Sequence, residues 1–176
     1  MLGNIRIDGL NQRFPRRRSR EVVTYLAVHR NGVDPDALTE AVWPDAPPLP
    51  HRIIRYLSEA RTTLGDTPTG DPYLPPLGDD GLYRVHPRLG CDLDRLEHHL
   101  HQAKTATEPN HKARHLRAGL VLVEGPPFTG GTNDGYSWAH TEGLVSHATI
   151  AIDNAAHQLA EHALQHDDPD TATWAA

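Results

Sequence analysis

The stretch His51–Gly65, HRIIRYLSEARTTLG, decides how the rest of the chain is read. At about 100° per residue, Ile53, Leu57, Ala60 and Leu64 fall within one narrow arc of a helix. His51, Arg55, Ser58, Glu59 and Thr62 fall on the opposite side, with Arg52 and Arg61 on the flanks. The apolar stripe needs a core to dock on. The outer face, small polar groups and an arginine, suits either solvent or a DNA major groove, and amphipathicity alone does not choose between them.

Upstream, residues 2–10, LGNIRIDGL, predict a short strand with Ile5 and Ile7 on one face. Arg13, Arg16, Arg17, Arg18 and Arg20 follow. Five arginines within eight residues are either a phosphate-contacting arm or a solvated loop leading into a helix. Ser19 is the expected N-cap of that helix, with Glu21 adding favourable charge near its positive end. Val22, Val23, Leu26 and Ala27 share its inner face, and Asn31-Gly32 closes it. Asp34 as cap and Pro35 at the first helical position restart the chain. Ala37, Leu38, Ala41 and Val42 then face inward, Trp43 plugs the end, and the connector PDAPPLP leads to His51.

Downstream, Tyr73-Leu74 and Leu82–Val85 flank PPLGDDG and predict a hairpin. Strand, three helices and hairpin, in that order, is the winged helix, a variant of helix-turn-helix. The second half reads as helices throughout. Asp92 caps one through about Thr105, with Leu93, Leu96, Leu100 and Ala103 inside. Residues 111–124 form another on Leu116, Leu120 and Val123. The loop GPPFTGGTNDGYSWAHTEG carries the anchors Phe128, Tyr136 and Trp138. A long helix is expected from about Ser137 to Gln165, and Asp168-Pro169-Asp170 starts a last one. Helix pairs of this size suggest helical-repeat packing, although no clear internal sequence repeat accompanies them.

The fold class expected is therefore mainly α. A winged-helix domain spans 1–88 and a helical domain spans 89–176. Length supports this, since 176 residues make one large domain or two small ones. A hydrophobic share of 38% and a mean hydropathy of −0.56 fit a soluble globular protein. No apolar run approaches the ~20 residues of a membrane helix, and no signal peptide is evident at the N-terminus. Cys91, the single cysteine, excludes an internal disulfide and fits a reducing cytoplasm. The net charge of −6 is unevenly spread. Residues 1–88 hold 12 Lys and Arg against 11 Asp and Glu, whereas 89–176 hold 5 against 12. Phosphates would repel the second half and tolerate the first, which points to two modules with different partners.

Catalytic and metal chemistry find little support. Among 13 histidines, His111/His115 and His162/His166 are i, i+4 pairs and His98/His101 an i, i+3 pair. A zinc site needs three or four convergent ligands, and no HExxH or Cys–His set is present. The glycines of 125–135 lack the Lys-Ser/Thr of a phosphate loop, and no nucleophile elbow precedes Ser137 or Ser146. No enzyme, metal or cofactor is expected.

REVVTYLAVHRNGVDPDALTEAVWPD, the helix ending ARTTLG, and GLYRVHPRLGCDLDRLEHHLHQA resemble the bacterial transcriptional activator domain (BTAD) regulators of actinobacteria, of the antibiotic-regulatory type. GPPFTGG, GYSWAHTEG and DDPDTATWAA fit the same pattern, so the resemblance covers nearly the whole chain. It implies an OmpR-type winged helix followed by a tetratricopeptide-like activator domain. It also implies that Arg52, Arg55 and the outer face of 51–62 match the recognition helix. The sequence departs from the pattern in two places. The wing tip, Gly78-Asp79-Asp80-Gly81, is acidic where Lys or Arg would suit DNA. The family pattern also continues past residue 176, so the helical domain is expected to be a truncated one.

Two functions follow. In the first, the chain is a cytoplasmic DNA-binding transcription regulator. His51, Arg52, Arg55, Ser58 and Thr62 then meet the groove, and Arg16, Arg17 and Arg18 hold the backbone. Its partners are double-stranded DNA and, through the helical half, RNA polymerase, another protein domain or a second copy, with no membrane involved. In the second, the chain is a protein-interaction module of a larger multidomain protein, its winged helix no longer binding DNA. The arginines favour the first, and the acidic wing and the nearly neutral first half favour the second.

Overall fold

The computed structural model describes residues 1–45, 48–129 and 135–176. The fold is mainly helical. The helices are α1 (Arg17–Val28), α2 (Pro35–Val42), α3 (Pro50–Leu64), α4 (Asp92–Thr105), α5 (Pro109–Leu120), α6 (Ser137–Thr141), α7 (Leu144–Gln165) and α8 (Pro169–Ala175). They fall into two compact units. One comprises Arg6–Cys91 and Thr132–Trp138; the other comprises Met1–Ile5, Asp92–Gly131 and Ala139–Ala176.

In the unit built on α1–α3, α1 is the central element. Every residue from Glu21 to Ala27 is buried, as is Ser19, so the single inner face expected of it is an underestimate. α2 and α3 pack against it, and Trp138 sets its indole edge-on against Tyr25, with centroids 4.9 Å apart and planes at 87°. Ser19 is not the N-cap. Arg16 holds that position without a side-chain cap, and the Ser19 hydroxyl is spent on a neighbouring helix. Asp34 does cap α2, accepting from the backbone N–H groups of Asp36 at 2.8 Å and Ala37 at 3.4 Å. Leu38 and Val42 are fully buried, whereas Ala37 faces solvent rather than the core. Trp43 ends α2, 8% exposed, with its ring 5.2 Å from that of Tyr56. On α3 the stripe docks as expected: Leu57, Ala60 and Leu64 are buried and Ile53 is half-buried. Gly65 then stops the helix at φ 66°, a left-handed conformation that favours glycine.

The strand expected over 2–10 and the hairpin over 73–85 do not form. Among the described residues, pairing is confined to isolated bridges: Asn4–Thr129, parallel, and Val33–Tyr83 and Asp66–Pro72, antiparallel. The backbone explains this. Gly3 and Gly9 sit at φ 136° and 78°, which breaks an extended run. Pro72, Pro75 and Pro76 remove three ladder donors around Tyr73-Leu74.

In the other unit, α5 packs on α4 and α7, and α8 on α7. Ala103, Leu116, Leu120, Ala155, Leu159 and Ala175 make its core. α5 starts at Pro109 and ends at Leu120, short of the expected 124. The long helix expected from Ser137 is two helices, because Gly143 turns the chain at φ 74° as the N-cap of α7. Asp168 caps α8 by accepting from Thr171 N–H at 3.0 Å. No helix of the described residues is long and apolar enough to cross a membrane. The middle of the connector, 46–47, and of the glycine-rich loop, 130–134, lies outside the described residues.

Candidate nucleic-acid interface

α3 presents His51, Arg52, Arg55, Ser58 and Thr62 to solvent, all exposed. The docked stripe fixes this, since a helix buried along Leu57, Ala60 and Leu64 must turn its other side outward. Arg55 is 65% exposed, with its Nε 3.1 Å from Glu59 Oε1 one turn on. Glu59 gathers more than Arg55: Arg16 pairs with the same oxygen, and the Ser19 hydroxyl donates to Oε2 at 2.7 Å. This carboxylate, 17% exposed, ties the start of α1 to the outer edge of α3. By periodicity Glu59 lies on the outer face, where its charge alone suggests no role; the i, i+4 spacing to Arg55 is the sequence signal for the pair.

The arginines of 16–18 do not form an arm. Arg16 is the N-cap of α1, and Arg17 and Arg18 are its first two helical residues. Arg18 points inward. Its Nη1 donates to Glu21 Oε2 at 2.8 Å and to the Val42 carbonyl at 2.7 Å, and its guanidinium stands 6.0 Å from the centre of the Trp43 ring. Arg17 is half-buried beside Gly135, where a Cβ would come 2.7 Å from Nη1. Arg13, in the segment before α1, is exposed. Arg61, on the flank of α3, donates to the carbonyls of Leu74 at 3.1 Å and Pro75 at 3.2 Å, and so pins the following loop.

That loop turns at Gly78–Gly81, where Asp80 and Arg84 pair at 2.6 Å. The hydrogen bond from Arg84 holds the Asp80 carboxyl below the usual carboxylate range. Arg84 also donates to the Asn31 carbonyl at 3.1 Å. Arg84 is thus committed to these partners, and Asp79 at the tip is exposed. Next to Arg55, Ile54 is 63% exposed, and Leu49 at the N-cap is 61% exposed. Neither was singled out from the sequence.

Of the histidine pairs, His162 and His166 stack with centroids 4.2 Å apart. His115 instead meets His99, Nδ1 to Nδ1 at 3.4 Å. Among the described residues no three His, Cys, Asp or Glu side chains converge as metal ligands.

No family model matches the chain, and no curated protein does. A solved structure is similar, that of Mycobacterium tuberculosis EmbR in complex with a low-affinity phosphopeptide. It shares 25% sequence identity over 99% of this chain, with a TM-score of 0.65. The chain spans 56% of the length of that one. The likeness supports a BTAD-like fold.

Proposed function

We propose that the chain is a non-enzymatic, DNA-binding transcription regulator of the BTAD type. In this reading α1–α3 and the loop after them are a winged helix-turn-helix whose sheet is reduced to bridges, and α4–α8 serve protein contacts. The observation that carries it is the outer face of α3, where His51, Arg52, Arg55, Ser58 and Thr62 are exposed together on a helix docked by its other side. The reciprocal bridge between Val33 and Tyr83, at 2.9 and 2.8 Å, supports it by tying the turn before α2 to the loop that would be the wing. The phosphate contacts fall to Arg13, Arg16 and Arg52 rather than to Arg17 and Arg18. The similarity to EmbR supports the regulator class.

A second reading, a protein-interaction module, is favoured by one cluster. Glu59 takes up Arg16 and Arg55 beside exposed Ile54, and the tip at Asp79-Asp80 would repel phosphates. EmbR was solved with a peptide, and this reading would give the present chain a protein ligand of its own. Titrating the chain into fluorescent duplex DNA at low and moderate salt separates the two. A regulator binds and weakens steeply with salt, while an interaction module shows no binding.

A further inference from the structure

The chain contains two lysines, and its other fifteen cationic side chains are arginines. Both lysines line the same pocket, a cavity of about 380 Å³ among α4, α5 and α7. Lys104 stands in the last turn of α4 and Lys112 in the first turn of α5, with Asn154 and Gln158 facing from α7. The floor is apolar, built from Ala103 and Leu116. Among the described residues neither lysine is ion-paired. That is unexpected in residues 89–176, where twelve carboxylates outnumber five cations. Two unneutralised ammonium groups over an apolar floor make a site for an anion that carries a hydrophobic body.

The amides narrow the chemistry. Asn154 and Gln158 are i, i+4 on α7, about 6 Å apart along the axis. An extended peptide repeats its backbone groups on one side every two residues, about 6.6 Å. Gln158 Nε2 already donates to the Asn154 carbonyl at 3.2 Å, which leaves its Oε1 and second N–H, together with the Asn154 amide, to accept and donate as a peptide backbone requires. We propose that this pocket binds an extended acidic peptide segment, with a carboxylate between Lys104 and Lys112 and, two residues along on the same side, an aliphatic side chain on the floor of Ala103 and Leu116. The site lies wholly within the α4–α8 unit and does not rest on the DNA reading. An Arg55→Ala protein, weakened in DNA binding, binds the peptide unchanged.

The lysines supply their own probe. Reductive ¹³C-dimethylation of the full chain keeps their charge and gives a resolvable signal for each, assigned with Lys104→Arg and Lys112→Arg. The titrant is an acetylated hexapeptide, Ser-Glu-Ser-Leu-Ser-Glu, which sets Glu and Leu on one side, compared with its Gln/Leu counterpart. Both lysine signals shift along one binding curve with the acidic peptide and stay in place with the neutral one. Lys104→Gln, at an exposed position, and Lys112→Gln, at a half-buried one, leave the circular dichroism unchanged and each weaken binding about three- to tenfold. Signals that stay fixed at millimolar peptide overturn the proposal, as does an equal response to the Gln/Leu peptide. Displacement of the peptide by inorganic phosphate at matched concentration also overturns it, since the pocket is then a simple anion site.

Discussion

The backbone N–H of Tyr136 donates to Oε1 of Glu21 at 2.9 Å, across 115 residues of sequence. The other oxygen of Glu21 accepts from Arg18 at 2.8 Å. Both residues are buried, Glu21 at 0% and Tyr136 at 1% exposure. Tyr136 is held at φ 63°, a left-handed conformation that a tyrosine adopts only when its surroundings insist. The carboxylate therefore fixes a strained turn against α1, and two residues later Trp138 meets Tyr25.

Glu21→Ala leaves the buried Tyr136 N–H without its acceptor and takes the carboxylate from Arg18, whose side chain is 24% exposed and still donates to the Val42 carbonyl. It should cost about 1–3 kcal/mol, the range for leaving a buried polar group unsatisfied. Glu21→Gln keeps an acceptor and should cost clearly less. Urea denaturation followed by tryptophan fluorescence measures both. An Ala variant with the wild-type midpoint contradicts the assignment.

Trp43 and Trp138 are 8% and 3% exposed. Each truncation to alanine should cost about 3–5 kcal/mol through lost burial and the cavity left behind. Thermal melts of the two variants test this, and an unshifted melt for either removes that indole from the core.

The parts of the fold legible in the sequence are those set by neighbours along the chain. The stripe Ile53, Leu57, Ala60, Leu64 located α3, and Asp34-Pro35 and Asp168-Pro169 located the starts of α2 and α8. What was not legible is set at a distance. Glu21 looks like an ordinary charge near a helix start, because the group that buries it lies 115 residues on. The arginines of 16–18 looked alike in the sequence, yet Arg18 turns inward to Glu21 and Val42 while Arg16 turns outward to Glu59. The strands failed where proline and positive-φ glycine removed donors and extended backbone. Gly143 broke a helix whose apolar period gave no warning.

Two histidines make stability depend on pH. His99 is held below its ordinary value of 6.5 by burial and then by His115 and His98. His162 is held below the same value by burial and then by His166 and Lys112. Its buried Nε2 has no hydrogen-bond partner among the described residues. With folded pKa values lowered, the folded state binds fewer protons than the unfolded one. Stability is full above pH 6.5 and is lost as pH falls through the lowered values. Melting temperature against pH should drop on that side, and His99→Asn with His162→Asn should flatten the drop. A double variant with the wild-type profile rules these two groups out.

Glu59 holds negative charge among the arginines of the proposed interface. Glu59→Gln retains an acceptor for Ser19 and releases Arg16 and Arg55 toward phosphates. DNA affinity should rise, with a salt dependence steeper by about one counterion per arginine released. Anisotropy titrations at several salt concentrations measure the slope. An affinity that falls with this change would place Glu59 in the contact itself, as an acceptor from bases.

Whether the proposed recognition helix α3 reads DNA is tested by the affinity of the full chain for duplex DNA against salt, for wild type and Arg55→Ala. The wild-type protein should bind non-specific duplex at low salt, with log K falling linearly in log salt by about 0.9 per phosphate neutralised. On its specific site Arg55→Ala should lose about 1–3 kcal/mol if Arg55 pairs with a guanine, with folding unchanged because the side chain is 65% exposed. A wild-type chain that shows no affinity for duplex DNA at low salt contradicts the account and leaves the protein-interaction reading in its place.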